Sequence, residues 1–69
     1  MHTVYLNVKH NKLVIAVHEY RGGRNRPTFY WLQNSYEPIS DNRTLMNLRF
    51  MSMHSSREQA IEYYPEYTL

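Results

Sequence analysis

The chain has 69 residues, which is room for one domain over residues 1–69 and for a small core, because a chain of this length buries only about 60% of the surface that it exposes when unfolded. It contains no cysteine, so disulfide bonds and thiolate metal sites are excluded as sources of stability. An apolar content of 42% and an aromatic content of 14% still predict a folded chain. We expect self-association as a homodimer to be one way of supporting so small a core.

No apolar run approaches the ~20 residues that a membrane span needs, so no membrane contact is expected. The lack of cysteine fits the reducing cytoplasm, which is the predicted location. The net charge of +2 is unevenly distributed along the chain. Residues 1–36 carry five basic and one acidic side chain (+4), whereas residues 37–69 carry three basic and five acidic ones (−2). The basic half is therefore where we expect a partner to bind.

Two strands are predicted at the start of the chain. Apolar and polar residues alternate over 3–8, and a run rich in β-branched and aromatic residues covers 13–20. A two-residue turn at His10 and Asn11 would make the numbers of paired residues sum to 21 and would leave one face of the hairpin aliphatic. The predicted pairs are Val4 with Val17, Leu6 with Ile15, and Val8 with Leu13.

A basic loop over 21–27 is predicted next, because arginines, two glycines and Pro27 follow one another there. The aromatic run over 28–33 predicts a third strand, whose register a seven-residue loop leaves open. The turn-forming residues over 34–43, including Tyr36 and Ile39, predict a second loop.

The segment 44–53 fits two patterns. As a strand it places Met46, Leu48 and Phe50 on one face, and as a helix capped near residues 40–42 it groups Met46, Phe50 and Met53. The strand is the preferred prediction.

The C-terminal part predicts a short helix that ends at Pro65. Ser55 with Glu58, or Ser56 with Gln59, has the spacing of a capping box. The predicted buried stripe is Ala60, Ile61 and Tyr64. Because so short a helix is marginal alone, we expect it to pack on the aliphatic face of the sheet, with the tail adding an edge strand or fraying. The fold class is thus α+β: a small antiparallel sheet of three to four strands, covered on one face by a single C-terminal helix.

One group of residues has the chemistry of a binding surface. Guanidinium groups bind phosphates and carboxylates through paired hydrogen bonds, and tyrosine and tryptophan next to arginine are typical both of protein-interface hot spots and of stacking on single-stranded nucleic acid. The alternatives are a solvated charged loop and, for Trp31, packing in the core. The predicted partner-binding residues are Tyr20, Arg21, Arg24, Arg26, Tyr30 and Trp31.

Other chemistries are less well supported by the sequence. The histidines His2, His10, His18 and His54 lack the spacing of a metal site, and no nucleotide-binding motif is present, so no metal or cofactor is expected. Nothing marks an activated nucleophile, although His18 or His54 could serve a ribonuclease in principle. We expect a protein that is not an enzyme.

Two resemblances bear on function. An antiparallel sheet with a basic turn, a short strand and then the helix start Ser-Ser-Arg-Glu-Gln-Ala-Ile follow one another over residues 13–64. This order resembles the three-stranded-sheet DNA-binding domains at the N-termini of tyrosine recombinases. In size and topology the chain is similar to small phage-encoded inhibitors of host machinery. Neither resemblance identifies a family. The prediction is a small binding protein that docks on another protein as an inhibitor or modulator, with nucleic-acid binding as the alternative.

Overall fold

A computed structural model of the chain describes residues 1–33 and 37–68, apart from the side chains of Tyr20, Arg21, Asn25 and Thr68. Four strands and three short helices make up this part of the chain. In chain order they are β1 (His2–Asn7), β2 (Lys12–Arg21), β3 (Arg24–Trp31), α1 (Asn42–Met46), β4 (Leu48–His54), α2 (Arg57–Tyr63) and α3 (Pro65–Thr68).

The strands form one antiparallel sheet in the order β3-β2-β1-β4. The predicted α+β class with a small antiparallel sheet is therefore confirmed, and the sheet has four strands where three to four were predicted. The helices differ from the single one predicted, since α1 precedes β4 and α3 follows α2.

The β1–β2 hairpin has the predicted faces in a different register. Val4 lies opposite Ile15 and Leu6 opposite Leu13, so paired numbers sum to 19 instead of 21. The connection is four residues long because the Asn7 side chain accepts a hydrogen bond from the His10 backbone at 2.8 Å, and Asn11 adopts a left-handed conformation with φ 54°. The predicted pairing of Val8 is wrong, since Val8 lies in this turn. A shift of two residues leaves every side chain on its predicted face.

The predicted loop over 21–27 is also wrong. Gly22 and Gly23 alone make the turn, with φ values of 56° and 78°, and the strands continue to Arg21 and from Arg24. Two consecutive residues with positive φ are the requirement of a tight hairpin turn that matches strand twist, and glycine meets it without strain. Pro27 is compatible with β3 because β3 is a terminal strand of the sheet.

The ambiguous segment 44–53 contains both predicted structures. Asp41 caps α1 by accepting from the Arg43 backbone at 3.0 Å, and β4 then pairs with β1. The register shifts between Val4 and Tyr5, so Met51 is an extra residue in β4, a β-bulge. The predicted alternation therefore reverses at Met51.

The core lies on the face of the sheet that carries Val4, Leu6, Leu13, Ile15 and Val17, which we call the core face. Ala60 of α2 and Tyr64 are buried in the same cluster, together with Leu32. Ser56 caps α2 by accepting from the Gln59 backbone at 3.2 Å, which confirms the second of the two predicted capping pairs. The predicted stripe is confirmed as well, with Ile61 partly buried against the cluster.

The segment after β3 runs back along its outer edge. Trp31 donates its backbone N–H to Glu37 at 3.0 Å, and Ile39 donates to Phe29 at 2.8 Å. The predicted anchor Tyr36 lies outside the described residues, as does Leu69, whereas residues 65–68 form α3 in place of the predicted edge strand or frayed end. Of the helices described, none has the length and apolarity to cross a membrane.

Candidate binding surface

The second face of the sheet carries a row of aromatic rings. Tyr5 of β1 is directly opposite Phe50 of β4, and their ring centroids are 6.2 Å apart at 80°. The Tyr5 ring is also 6.3 Å from that of Phe29 in β3. Strand β2 separates Tyr5 from Phe29, and it contributes Val14 and Ala16 to this face, both buried. The small side chains of β2 let the rings of β1 and β3 approach across it.

We call this surface the aromatic face and define it by Tyr5, Phe29, Trp31 and Phe50. Residues directly opposite one another in an antiparallel pair share a face, so the register assigns Trp31, the partner of Val14, to this side. The buried residues that the helices contribute belong to the core face, and α1 has no buried residue. The Phe50 side chain is 57% exposed and the Met53 side chain, on the same side, is 53% exposed. An open apolar surface of this kind is a candidate interaction site.

Positive charge borders the aromatic face at one end. The Lys12 Nζ atom lies 5.7 Å from the centre of the Trp31 ring, within the range of a cation–π contact. The His10 ring meets Trp31 edge-on at 6.0 Å. The register assigns no Asp or Glu among the strand residues to this face, since Glu19 pairs with Arg26 on the other one. Among the strand residues the face is therefore apolar at its centre and basic at one end, and the acidic residue next to it is Glu37, whose backbone accepts from Trp31.

The structure separates the predicted partner-binding residues. Trp31 is on the aromatic face, half-buried, whereas Tyr30 is on the core face, partly buried against the core, with its hydroxyl donating to Glu19 Oε1 at 3.3 Å. Tyr30 is thus a packing residue on the face opposite Trp31. Of the predicted residues, Tyr30 and Trp31 therefore do not share a face of the sheet.

The arginines lie at the tip of the β2–β3 hairpin. Arg24 and Arg26 are exposed, and their register partners are Arg21 and Glu19. β1 begins opposite Val17, so residues 18–27 extend past the part of the sheet that β1 pairs with. The side chains of Tyr20 and Arg21 lie outside those described, and a role in partner binding stays a prediction for all six residues.

A polar cluster lies between β4 and α2. The Ser52 hydroxyl is 2.7 Å from His54 Nε2 and also hydrogen-bonds the Tyr64 hydroxyl, and the His54 ring is 5.1 Å from that of Tyr63. The His54 ring also lies 6.1 Å from the ring of Tyr64. What the cluster does is satisfy the hydroxyl of buried Tyr64.

The described residues contain no group of three or more His, Asp or Glu side chains that could hold a metal ion. Comparison of the chain with protein-family models, with curated proteins and with solved structures finds no match. Function is therefore argued from the surface itself.

The sequence reasoning missed Tyr5, Phe29 and Phe50 as members of one surface. The alternation over 3–8 places Tyr5 on the face away from Val4 and Leu6, and the register of the hairpin agrees with this. Bringing Phe29 and Phe50 beside it needs the register of β3 and the bulge at Met51. The available signal was the position of Tyr5 opposite small residues of β2, which leaves space for neighbouring rings.

Proposed function

We propose that this chain is a non-enzymatic binding protein that docks on another protein through its aromatic face and so inhibits or modulates that partner. The observation that carries the proposal is the row of rings Phe50, Tyr5 and Phe29, which lies on the side of the sheet opposite the core face. Buried aromatic anchors supply most of the affinity in protein interfaces, and they do so at a low cost in side-chain entropy. The cytoplasm is the place of action within this proposal.

The charges define the partner's chemistry. The aromatic face has Lys12 and His10 at one end and no acidic strand residue, so a complementary partner has an apolar patch with carboxylates at its border. The exposed Arg24 and Arg26 lie at the other end of β2, at the hairpin tip and on the face of Tyr30, so they are a separate basic group. The charges at the border of the aromatic face would speed association and orient the complex, while the rings would supply the affinity.

The experiment is an affinity capture with matched variants. Wild-type protein, the double variant Phe29→Ser with Trp31→Ser, and the control Tyr63→Ser are immobilised and incubated with extract of the host cells, with and without nuclease. Tyr63 is an exposed aromatic residue of α2, away from the aromatic face. We expect a protein that is retained after nuclease treatment by the wild type and by Tyr63→Ser, and lost from the double variant.

Circular dichroism of each variant shows whether the sheet is retained, so that lost binding is not confused with unfolding. Binding of the purified partner is then measured by calorimetry, where removal of two anchors should weaken affinity about 100-fold or more. A partner that binds the double variant as tightly as the wild type would refute the assignment of the aromatic face.

A second candidate is single-stranded nucleic acid, and the Lys12 ammonium over Trp31 is the observation in its favour. Bases stack on aromatic side chains beside positive charge, and such binding weakens steeply with salt. Titration of a labelled oligonucleotide at several salt concentrations tests it. If nucleic acid is the ligand, Lys12→Ala reduces the salt slope by about 0.7, whereas Arg49→Ala, on the core face, leaves it unchanged.

A further inference from the structure

The two edges of the sheet differ in whether their outward-facing backbone groups are hydrogen-bonded. The outer edge of β3 is closed by the chain itself, because Glu37 accepts from Trp31 and Ile39 donates to Phe29. The outer edge of β4 has no backbone partner in residues 1–33 and 37–68. A free strand edge presents a row of unpaired N–H and C=O groups that another strand can use.

The register shows which groups these are. Val8 donates its N–H to Asn47, so the next hydrogen-bonded pair toward the strand centre is Leu6 with Arg49. In an antiparallel pair of strands, hydrogen-bonded residue pairs alternate with pairs whose N–H and C=O groups point away from the partner strand. The N–H and C=O groups of Leu48 and Phe50 therefore point away from β1, toward the free edge. Beyond the bulge at Met51, where Ser52 pairs with Val4, the same alternation turns Met53 outward.

The composition of β4 adds to this. Its sequence Leu-Arg-Phe-Met-Ser-Met-His contains no Lys, Asp, Glu or Pro, and its one full charge, Arg49, has its backbone turned toward β1. Natural edge strands are commonly protected by charged side chains, especially lysine, by proline or by a bulge. Of these, β4 has the bulge and one charged side chain, Arg49, which lies on the core face. The outward-facing residues Phe50 and Met53 are both more than half exposed.

We infer that β4 is the dimerisation edge of this protein, and that its occupant is β4 of a second copy of the chain. A twofold axis between two antiparallel copies places Phe50 of one copy opposite Met53 of the other, and the reverse, which makes the contact self-complementary. Thioether sulfur and aromatic rings contact one another favourably. Homodimer interfaces are also more apolar than interfaces between different proteins. The outward-facing residues of β4, which are Leu48, Phe50 and Met53, are all apolar.

The dimer has a structural consequence that does not depend on what the aromatic face binds. Joining two four-stranded sheets through β4 makes one eight-stranded antiparallel sheet, in which the aromatic faces of both copies are continuous. A partner with two equivalent patches could then be held by both copies at once, with a gain in avidity. The edges left at the ends of this sheet are the two copies of β3, each closed by residues 37–39.

The test uses the purified chain alone, so its outcome is separate from that of the partner capture. Sedimentation equilibrium over a range of protein concentrations gives the mass in solution, and we expect it to approach that of two chains. Met53→Lys should raise the dimer dissociation constant about tenfold or more, because an ammonium group placed in an apolar contact must be desolvated. Met46→Lys is the matched control, since Met46 is 77% exposed and lies in α1.

Amide hydrogen exchange supplies an independent measurement that a side-chain contact elsewhere would not produce. The N–H groups of Phe50 and Met53 should exchange more slowly as the protein concentration rises, while that of Arg49 should not change. A mass of one chain at every concentration would overturn the inference. A dimer that Met53→Lys leaves intact, with the exchange of Phe50 independent of concentration, would overturn it equally.

Discussion

At the scale of single residues, the Asn7 side chain connects two parts of the fold that are far apart in the sequence. It is buried at the end of β1, where Nδ2 donates to the Thr44 carbonyl at 2.7 Å and Oδ1 accepts from the His10 backbone at 2.8 Å. One side chain thus closes the first hairpin and joins α1 to the sheet, although residues 7 and 44 are far apart in the chain.

Replacing Asn7 with Ala removes both hydrogen bonds and leaves two backbone groups without them. We expect the free energy of unfolding to fall by about 1–3 kcal/mol, measured by urea denaturation. The control is Asn47→Ala, the same change at an exposed position, which should cost less than about 0.5 kcal/mol. Equal losses in the two variants would show that the Asn7 hydrogen bonds add nothing to stability.

His2 makes stability depend on pH. Burial, together with the N-terminal ammonium, lowers the pKa of His2 below its usual 6.5, and Glu58 opposes this shift. The unfolded chain therefore binds a proton at a higher pH than the folded chain does. Stability that is fully present above about pH 6.5 is lost as the pH falls from there through the lower pKa of the folded state.

We expect His2→Gln to flatten the dependence of the unfolding free energy on pH between about 7 and 5. The control is His18→Gln, the same change at an exposed position. The measurement is a series of urea denaturation curves across that range. A wild-type protein that becomes more stable as the pH falls through this window would contradict the assignment to His2.

At the scale of elements, the turn of the β2–β3 hairpin depends on the backbone conformation of its two glycines and not on side-chain contacts. Gly22 and Gly23 have φ values of 56° and 78°, and a Cβ built at either position meets no atom within 4 Å. Substitution there is therefore limited by strain in the backbone and not by space. Side chains differ in how much of that strain they bear, because asparagine adopts the left-handed region readily and valine does not.

Substitution at Gly22 should consequently follow the order of left-handed preference. We expect Gly22→Asn to leave the unfolding free energy within about 0.5 kcal/mol of the wild type, since Asn-Gly is a favoured pair in such turns. Gly22→Val should cost about 1–2 kcal/mol. Thermal melts of the three proteins give the comparison, and a valine variant as stable as the asparagine variant would mean that the turn has another conformation in solution.

The elements also show where sequence patterns stop being informative. Period-two alternation gave the correct faces of β1 and β2, but the register moved by two residues because the Asn7 side chain and the left-handed Asn11 set the length of the turn. The segment 44–53 contains signals for a helix and for a strand because it holds both. The alternation in β4 then reverses at Met51. The bulge leaves no signal in the sequence, because the residues on either side of it, Phe50 and Ser52, are apolar or small.

At the scale of the whole molecule, one sheet separates two surfaces of different character. The core face is packed against α2 residues, whereas the opposite face is lined by rings above Val14 and Ala16. The sequence predicted Trp31 and the arginines as a single site because they are close in the chain. Adjacent strand residues point to opposite faces, so Tyr30 and Trp31 could not both belong to it.

If both faces bury apolar side chains, valines on either side of the sheet should contribute equally to the free energy of unfolding. The same substitution, valine to alanine, at three positions tests this. Val4 lies on the core face, Val14 lies on the aromatic face, and both are fully buried, whereas Val8 is 60% exposed in a turn. We expect Val4→Ala and Val14→Ala each to lower the unfolding free energy by about 2–3 kcal/mol, and Val8→Ala by less than about 0.5 kcal/mol. Because a chain of this size has a total stability of about 3–10 kcal/mol, either buried change should produce a large shift in a urea denaturation curve. A neutral Val14→Ala would show that the rings of the aromatic face do not exclude water from β2, and that the core face alone holds the fold together.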